Sequence, residues 1–223
     1  KGKDGRAHML YGMASAGTVA WVMYQKFCNG VPYYRQEKDW KQYGASITRK
    51  TMANWVIRCN EEYLSPVLEY MRNQLLSRDI VHADETPVQV LKEEPQSKSY
   101  MWVYRTGNDD KAPIIMYDYQ PSRSGDNAAA FLKDFRGFVH SDGFSGYNKL
   151  TEVTRCGCWA HLRRKFVEAI PKVKASGSNG SQAQIGVGYC DRLFKIEDEL
   201  KDMSPEDRYI KRLELAKPVL EAF

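Results

Sequence analysis

The chain has 223 residues, 43% hydrophobic and 27% charged, with a mean hydropathy of −0.58; this suits one large or two small soluble domains and excludes a chain too polar to bury a core. Lys and Arg exceed Asp and Glu by 33 − 28 = +5, a mild basic excess that permits nucleic-acid binding without demonstrating it. Five cysteines, an odd number with no framework spacing, argue against a disulfide-stapled secreted domain and point to a reducing cytoplasm. The longest apolar stretch, residues 9–23, is interrupted by Gly12, Ser15, Gly17 and Thr18 and is too short to span a bilayer, so no membrane partner is expected. Nothing resembles a signal peptide, and the opening Lys1-Gly2-Lys3-Asp4-Gly5 reads as a cut inside a longer chain.

Residues 17–77 read as helical. Val19, Val22, Met23 and Phe27 recur at helical spacing, Gly30-Val31-Pro32 stops that helix, and Pro32 helps to open the next over 33–43. Gly44 turns the chain, and Ser46 or Thr48 caps a third helix whose Met52, Trp55, Val56, Cys59 and Tyr63 form one apolar face. Pro66 is expected to end it, with another helix over 67–76. Short helices joined by a Gly-containing turn admit two readings. One is a helix-turn-helix, with Arg49, Lys50 and Asn54 at the start of the recognition helix, where base contacts are made. The other is a small helical bundle packed on the following domain.

From Ile80 the period changes to that of strands. Residues 80–91, 100–106 and 113–119 form an antiparallel meander, joined by a polar connection over 92–99 containing Pro95 and by the turn Gly107-Asn108-Asp109-Asp110. A helix over 128–135, capped by Ser124 or Asp126, leads to a fourth strand over 137–141. With the third strand parallel to the first, a right-handed crossover lays the fourth beside the first and parallel to it. A fifth strand over 154–159 and a basic helix over 161–169 follow. Residues 172–182 read as a flexible polar linker and 185–200 as a helix. Ser204-Pro205-Glu206-Asp207 has the cap, proline and acids of a helix start. Val219, Leu220 and Phe223 only begin an apolar face, which implies a missing C-terminal segment. The fold class is α/β: a helical region over 1–78, a mixed five-stranded core flanked by helices over 79–170, and a linker with a truncated helical segment over 171–223.

Two strands that each present an aspartate suggest a metal site. Asp84 lies in Val81-His82-Ala83-Asp84-Glu85-Thr86-Pro87-Val88, and Asp142 ends the apolar run 137–141. Side chains alternate along a strand, so Asp84, Thr86 and Val88 share one face and Glu85 points to the other. The ligand is therefore read as Asp84, although an aspartate there can also simply cap a turn. Hard cations such as Mg²⁺ or Mn²⁺ take oxygen ligands, one or two carboxylates plus substrate phosphates. Two such ions on Asp84 and Asp142 form a clamp for in-line phosphoryl displacement. Pro87 has no N–H and implies a bulge or an end of pairing after Thr86. His82 and His140 each precede an aspartate by two residues, on its face, in supporting or core roles. Cys156, Cys158 and His161 offer only three zinc candidates at odd spacing; His161 reads equally as a hydrogen-bonding residue at a buried strand end. Arg155, Arg163, Arg164, Lys165, Lys172 and Lys174 form the densest basic stretch, either DNA-phosphate contacts or a solvated helix face. Arg123, just before a helix N-terminus, suits a DNA phosphate, while an ordinary cap explains Ser124 equally well.

The same residues carry a resemblance. Asp84-Glu85-Thr86-Pro87-Val88, Pro121-Ser122-Arg123-Ser124-Gly125, Ser141-Asp142-Gly143-Phe144-Ser145-Gly146-Tyr147 and Cys158-Trp159-Ala160-His161-Leu162-Arg163-Arg164-Lys165-Phe166 occur in that order. The series resembles the catalytic domain of the insertion sequence 66 family of bacterial transposases, from about residue 17 to the end. The resemblance implies the DDE superfamily, with an RNase H-like fold over 79–170. It implies a transposase that cleaves DNA phosphodiester bonds and transfers strands, with two Mg²⁺ or Mn²⁺ ions on Asp84 and Asp142. Cys158 and His161 match a site-adjacent Cys-x-x-His motif. Element-end and target DNA are the implied partners, in a bacterial cytoplasm, and homo-oligomers are implied although no coiled-coil heptad is present. A third acid is implied too, a glutamate in an Asn-Asn…Glu-Arg motif on a later helix. No such motif occurs here, and the neighbours of Glu168, Glu197, Glu199, Glu214 and Glu221 differ from it. The third ligand is expected beyond Phe223, and this chain alone is expected to be inactive. The rival readings are a nuclease of the same fold that cuts without joining, and a non-catalytic DNA-binding or assembly protein with a vestigial core.

Overall fold

The computed structural model describes residues 14–90, 98–109, 111–171 and 181–223. Leu91, Pro95, Lys172, Lys174 and most of the expected polar linker lie outside the described residues. Contacts divide the chain into two compact units, residues 1–74 and 75–223.

In the first unit α1 (Ala16–Phe27), α2 (Tyr33–Gln42) and α3 (Arg49–Cys59) pack pairwise. Ser15 caps α1, and Thr48 caps α3 by accepting the Thr51 N–H at 3.1 Å. Gly44, at φ 79°, reverses the chain between α2 and α3. Gln36 is buried and donates to the carbonyls of Val22 and Val31 at 3.3 and 3.0 Å, which ties α2 to α1 and to the turn after it. Val19, Val22 and Met52 are buried, and Met23, Trp55 and Cys59 pack on Ala14 and Val19.

Pro66 does not end the third helix. The helix runs through a widened π turn, Asn60–Leu64, into α4 (Ser65–Leu76). A proline inside a regular helix presses its ring on the carbonyl four residues back. The π turn relieves this: the Ser65 N–H reaches back five residues to the Asn60 carbonyl, and the Ser65 hydroxyl donates to the same oxygen at 2.9 Å. The extra residue also rotates the apolar stripe, so Tyr63 is 45% exposed instead of continuing the face of Met52.

In the second unit β1 (Ile80–Val88), β2 (Ser99–Thr106), β3 (Ile115–Gln120), β4 (Phe138–Ser141) and β5 (Thr154–Gly157) form one mixed sheet in the order β3-β2-β1-β4-β5. The first three are an antiparallel meander; β4 pairs parallel with β1, and β5 parallel with β4. Helix α5 (Gly125–Phe131), capped by Ser124, crosses from β3 to β4, and a 3₁₀ turn (Ser145–Lys149) follows β4. This is the expected α/β arrangement, consistent with an RNase H-like core. Val81, Ala83 and Glu85 of β1 pair with Thr106, Tyr104 and Trp102 of β2, and all six are buried on one face. Tyr104 stacks on Phe131 with ring centroids 3.8 Å apart.

Pro87 neither makes a bulge nor ends pairing after Thr86: β1 pairs with β2 through Val88↔Ser99. The ladder to β4 covers only Ile80–His82, so at Pro87 the strand has one bare edge and tolerates a missing N–H as an edge strand does.

Helix α6 (Trp159–Glu168) follows β5, then α7 (Gln182–Leu200), α8 (Pro205–Lys211), a π turn (Arg212–Ala216) and α9 (Lys217–Ala222). A capping box opens α7: Ser181 Oγ accepts the Gln184 N–H and Gln184 Oε1 accepts the Ser181 N–H, at 3.3 and 2.7 Å. Phe223 sets its ring against Trp159, Phe166 and Tyr189 at 5.9, 5.8 and 5.3 Å. No described helix is long and apolar enough to cross a membrane.

Two glycines of α7 make opposite demands. A Cβ on Gly186 would lie 2.6 Å from the Phe166 ring of α6, whereas a Cβ on Gly188 would meet nothing within 4 Å. Gly186→Ala should therefore cost about 1–3 kcal/mol through overpacking. Gly188→Ala should gain about 0.5–1 kcal/mol from helix propensity. Urea unfolding of the two variants checks this, and effects of the same sign would refute the close α6–α7 contact.

Candidate active site

The parallel register is Ile80↔Phe138, Val81↔Val139 and His82↔His140. His82 and His140 are 58 positions apart, and their Nδ1 atoms are 3.1 Å from each other. Asp84 and Asp142 are separated by the same 58 positions (142 − 84), so each lies two residues past one member of the histidine pair. Asp84 is still in β1, and Asp142 is the first residue after β4. Both line a cleft of about 1190 Å³ that also takes in Thr86, Cys158 and His161. Both also line a smaller cavity of about 340 Å³, shared with His82, His140 and His161.

Each aspartate commits one oxygen to the main chain. Asp84 Oδ1 accepts the Glu85 N–H at 2.9 Å, and Asp142 Oδ1 accepts the Phe144 N–H at 2.8 Å. Asp142 Oδ2 lies 4.0 Å from Arg123 Nη2. Carboxylate oxygens, one from within β1 and one from just past the end of β4, are donors of the type a hard divalent cation takes, with phosphate oxygens and water completing its shell. Among the described residues no three His, Cys, Asp or Glu side chains converge as a metal-binding group. The zinc set of Cys156, Cys158 and His161 therefore does not form among the described residues.

Cys158 donates its N–H to the Ser141 carbonyl at 3.0 Å, which carries the β4–β5 ladder on to the start of α6 and sets that helix beside Asp142. His161, one turn in, has a buried Nδ1 with no hydrogen-bond partner among the described residues.

Glu85 is the candidate that strand alternation by itself does not reveal. It points away from Asp84, to the core face, where its side chain is 0% exposed. There Oε2 accepts the Tyr147 hydroxyl at 2.7 Å, and Oε1 accepts Arg123 Nε and Nη2 at 2.8 and 2.6 Å. The Arg123 guanidinium also lies over the Phe144 ring at 4.0 Å. Burial pushes the Glu85 carboxyl up, against the lowering hydrogen bonds of Tyr147 and Arg123; the charge of Asp142 pushes it further up. Burial lowers Arg123, but its bond to Glu85 more than offsets this and keeps it cationic. One sequence signal did exist: a carboxylate on a core face needs a charged or hydrogen-bonding partner.

The basic residues divide. Arg155, Arg164 and Lys165 line the cleft. Arg155 also donates to Asn148 Oδ1, and Lys165 to Glu168 at 3.2 Å. Arg163 turns to α7 and donates to Asp191 at 2.6 Å. In the first unit Arg49, Lys50 and Asn54 are exposed on α3, and the Arg49 N–H donates to Glu37 at 3.0 Å.

Residues 11–223 match the sequence profile described as Transposase IS66 family. The chain belongs to that family. Relatives from Sinorhizobium fredii (strain NBRC 101917 / NGR234) include Uncharacterized protein y4qI, 26% identical over 93% of this chain and 42% of its own length. Another, Uncharacterized protein y4jD, is 28% identical over 94% of this chain and 43% of its own length. The IS66-family chain thus spans about two-fifths of the curated relatives it matches.

The histidine pair gives this transposase-family chain a pH signature. Burial lowers His82 first, then the charges of His140 and Arg105; burial lowers His140 first, then His161. A base with a lowered folded pKa takes up protons on unfolding. Its stability is full above the unfolded value of 6.5 and falls as pH drops from there through the lowered folded values. The urea midpoint should therefore fall between about pH 7.5 and 5.5, and His82→Gln with His140→Gln should remove much of that fall. An equal fall in the double variant would place the acid sensitivity elsewhere.

Proposed function

We propose that this chain supplies the two strand-borne aspartates of a DDE-type transposase, whose reaction is metal-assisted cleavage of DNA phosphodiester bonds followed by strand transfer. One observation carries the reading: Asp84 and Asp142 each lie two residues past the paired His82 and His140 of adjacent parallel strands, and both line one cleft with a basic wall. Bound there, Mg²⁺ or Mn²⁺ ions would supply an activated oxygen nucleophile and neutralise the leaving oxygen. The chain's own residues do the holding. Arg155, Arg164 and Lys165 attract the phosphate backbone into the cleft. Thr86, Cys158 and His161 flank the aspartates, and the His82–His140 contact braces the strands that carry them. Arg49, Lys50 and Asn54, exposed on α3, are assigned to sequence reading. Family membership supports DNA as a partner, and the proposal extends this to element-end and target DNA bound by a homo-oligomer in the bacterial cytoplasm.

Among the described residues no third carboxylate joins the two aspartates, and two leave an ion loosely placed. The 223-residue chain should bind Mn²⁺ weakly and leave element-end DNA uncut. Asp84→Asn or Asp142→Asn should weaken Mn²⁺ binding about tenfold or more, measured by electron paramagnetic resonance. Unchanged affinity in both variants would take the aspartates out of the metal site. Mg²⁺-dependent cleavage abolished by Asp142→Ala would reveal a third ligand within the chain.

Phosphate contacts release counterions, about 0.9 in log–log salt slope for each phosphate neutralised. Arg164→Ala with Lys165→Ala should weaken binding equally for element-end and random duplexes and flatten the slope by up to about two units. Arg49→Ala or Asn54→Ala should instead reduce discrimination between the two duplexes. A slope untouched by the double variant would make the α6 face a merely solvated one.

A further inference from the structure

We propose that Arg123 is a pre-set phosphate donor beside Asp142, and that buried Glu85 and Tyr147 are the positioning residues that hold it there; this rests on the DNA reading above.

Arginine has five N–H donors in a planar fork. Glu85 Oε1 takes two of them, one from Nε and one from Nη2. Three remain, both on Nη1 and one on Nη2. The Phe144 ring, 4.0 Å away, fixes the plane of the guanidinium. Asp142 Oδ2, at 4.0 Å, is too far to accept a hydrogen bond, so the spare donors are not latched to the neighbouring aspartate. The Arg123 side chain is 42% exposed and lines the cleft. A cation with its rear edge and face fixed and donors left over matches the geometry of a phosphate group.

The frame behind it is built for holding. Both Glu85 oxygens are engaged, one by Arg123 and one by Tyr147. Tyr147 is fully buried, with its ring edge-on to Trp102 at 5.9 Å. A buried carboxylate is weak evidence for stability, since an apolar residue of similar volume often does as well. An arginine whose far side faces the cleft gives that carboxylate a purpose.

The test exploits a difference in sign. Glu85→Gln removes a negative charge next to the cleft, so long-range electrostatics alone predicts tighter DNA binding. The frame predicts the reverse, because a neutral amide oxygen holds Arg123 less firmly than the carboxylate does. Anisotropy of a short labelled duplex against salt should show Arg123→Ala about tenfold weaker with a slope flatter by about 0.9. Glu85→Gln should approach that loss, and the double variant should be no weaker than Arg123→Ala alone. Tyr147→Phe removes one hydroxyl, should weaken binding in the same direction, and carries the test if Glu85→Gln lowers the folded fraction in a thermal melt. Glu85→Gln or Tyr147→Phe that folds and binds as tightly as wild type, or tighter, overturns the proposal. So does an unchanged slope for Arg123→Ala while Arg164→Ala with Lys165→Ala still flattens it; in that case the DNA reading stands. A wild-type chain that binds no duplex takes down both.

Discussion

Three residue pairs, Ile80–His82 against Phe138–His140, fix the relation between segments 58 positions apart. The register has little freedom. Val81 and Val139 are each 0% exposed in the core, with His82 and His140 on the opposite face. A slip of one residue would drive a histidine into that core and turn one aspartate away from the other. The register from which Asp84 and Asp142 both continue is thus set in part by burial of two valines, whose own side chains do no chemistry.

The same alternation gives neighbouring residues opposite environments. Asp84 is exposed toward the cleft, whereas Glu85 is enclosed among aromatic residues. Taking a carboxylate out of water costs several kcal/mol before any partner is counted. Charge-assisted bonds from Arg123 and a short bond from Tyr147 offset that cost. The consequence reaches the surface, because the guanidinium that neutralises Glu85 also forms part of the cleft wall.

Much of the architecture was legible from the sequence because it depends on local rules. A hairpin-linked meander, one crossover helix and the right-handed rule are enough to bring β4 beside β1. The caps at Thr48, Ser124 and Ser204 follow from side chains that bond within three residues of themselves. What escaped depends on partners far along the chain or on a compromise between competing elements. Tyr147 meets Glu85 across 62 positions, and Arg163 meets Asp191 across 28. No spacing encodes either pair. The π turn before Pro66 escaped because a proline ordinarily signals a stop; here a widened turn satisfies the displaced backbone bonds, and the helix goes on. Pro87 escaped for a related reason, since whether it is tolerated depends on where a neighbouring strand ends.

That neighbouring strand has four residues where β1 has nine. Past His82, β1 runs on without β4 at its side, and the chain turns away at Gly143 toward the 3₁₀ turn. The cleft is therefore the space a longer strand would have filled. Its opening depends on where a strand terminates as well as on the side chains around it. Substitutions along the wall can change what the cleft holds, whereas an extension of β4 would narrow the cleft itself.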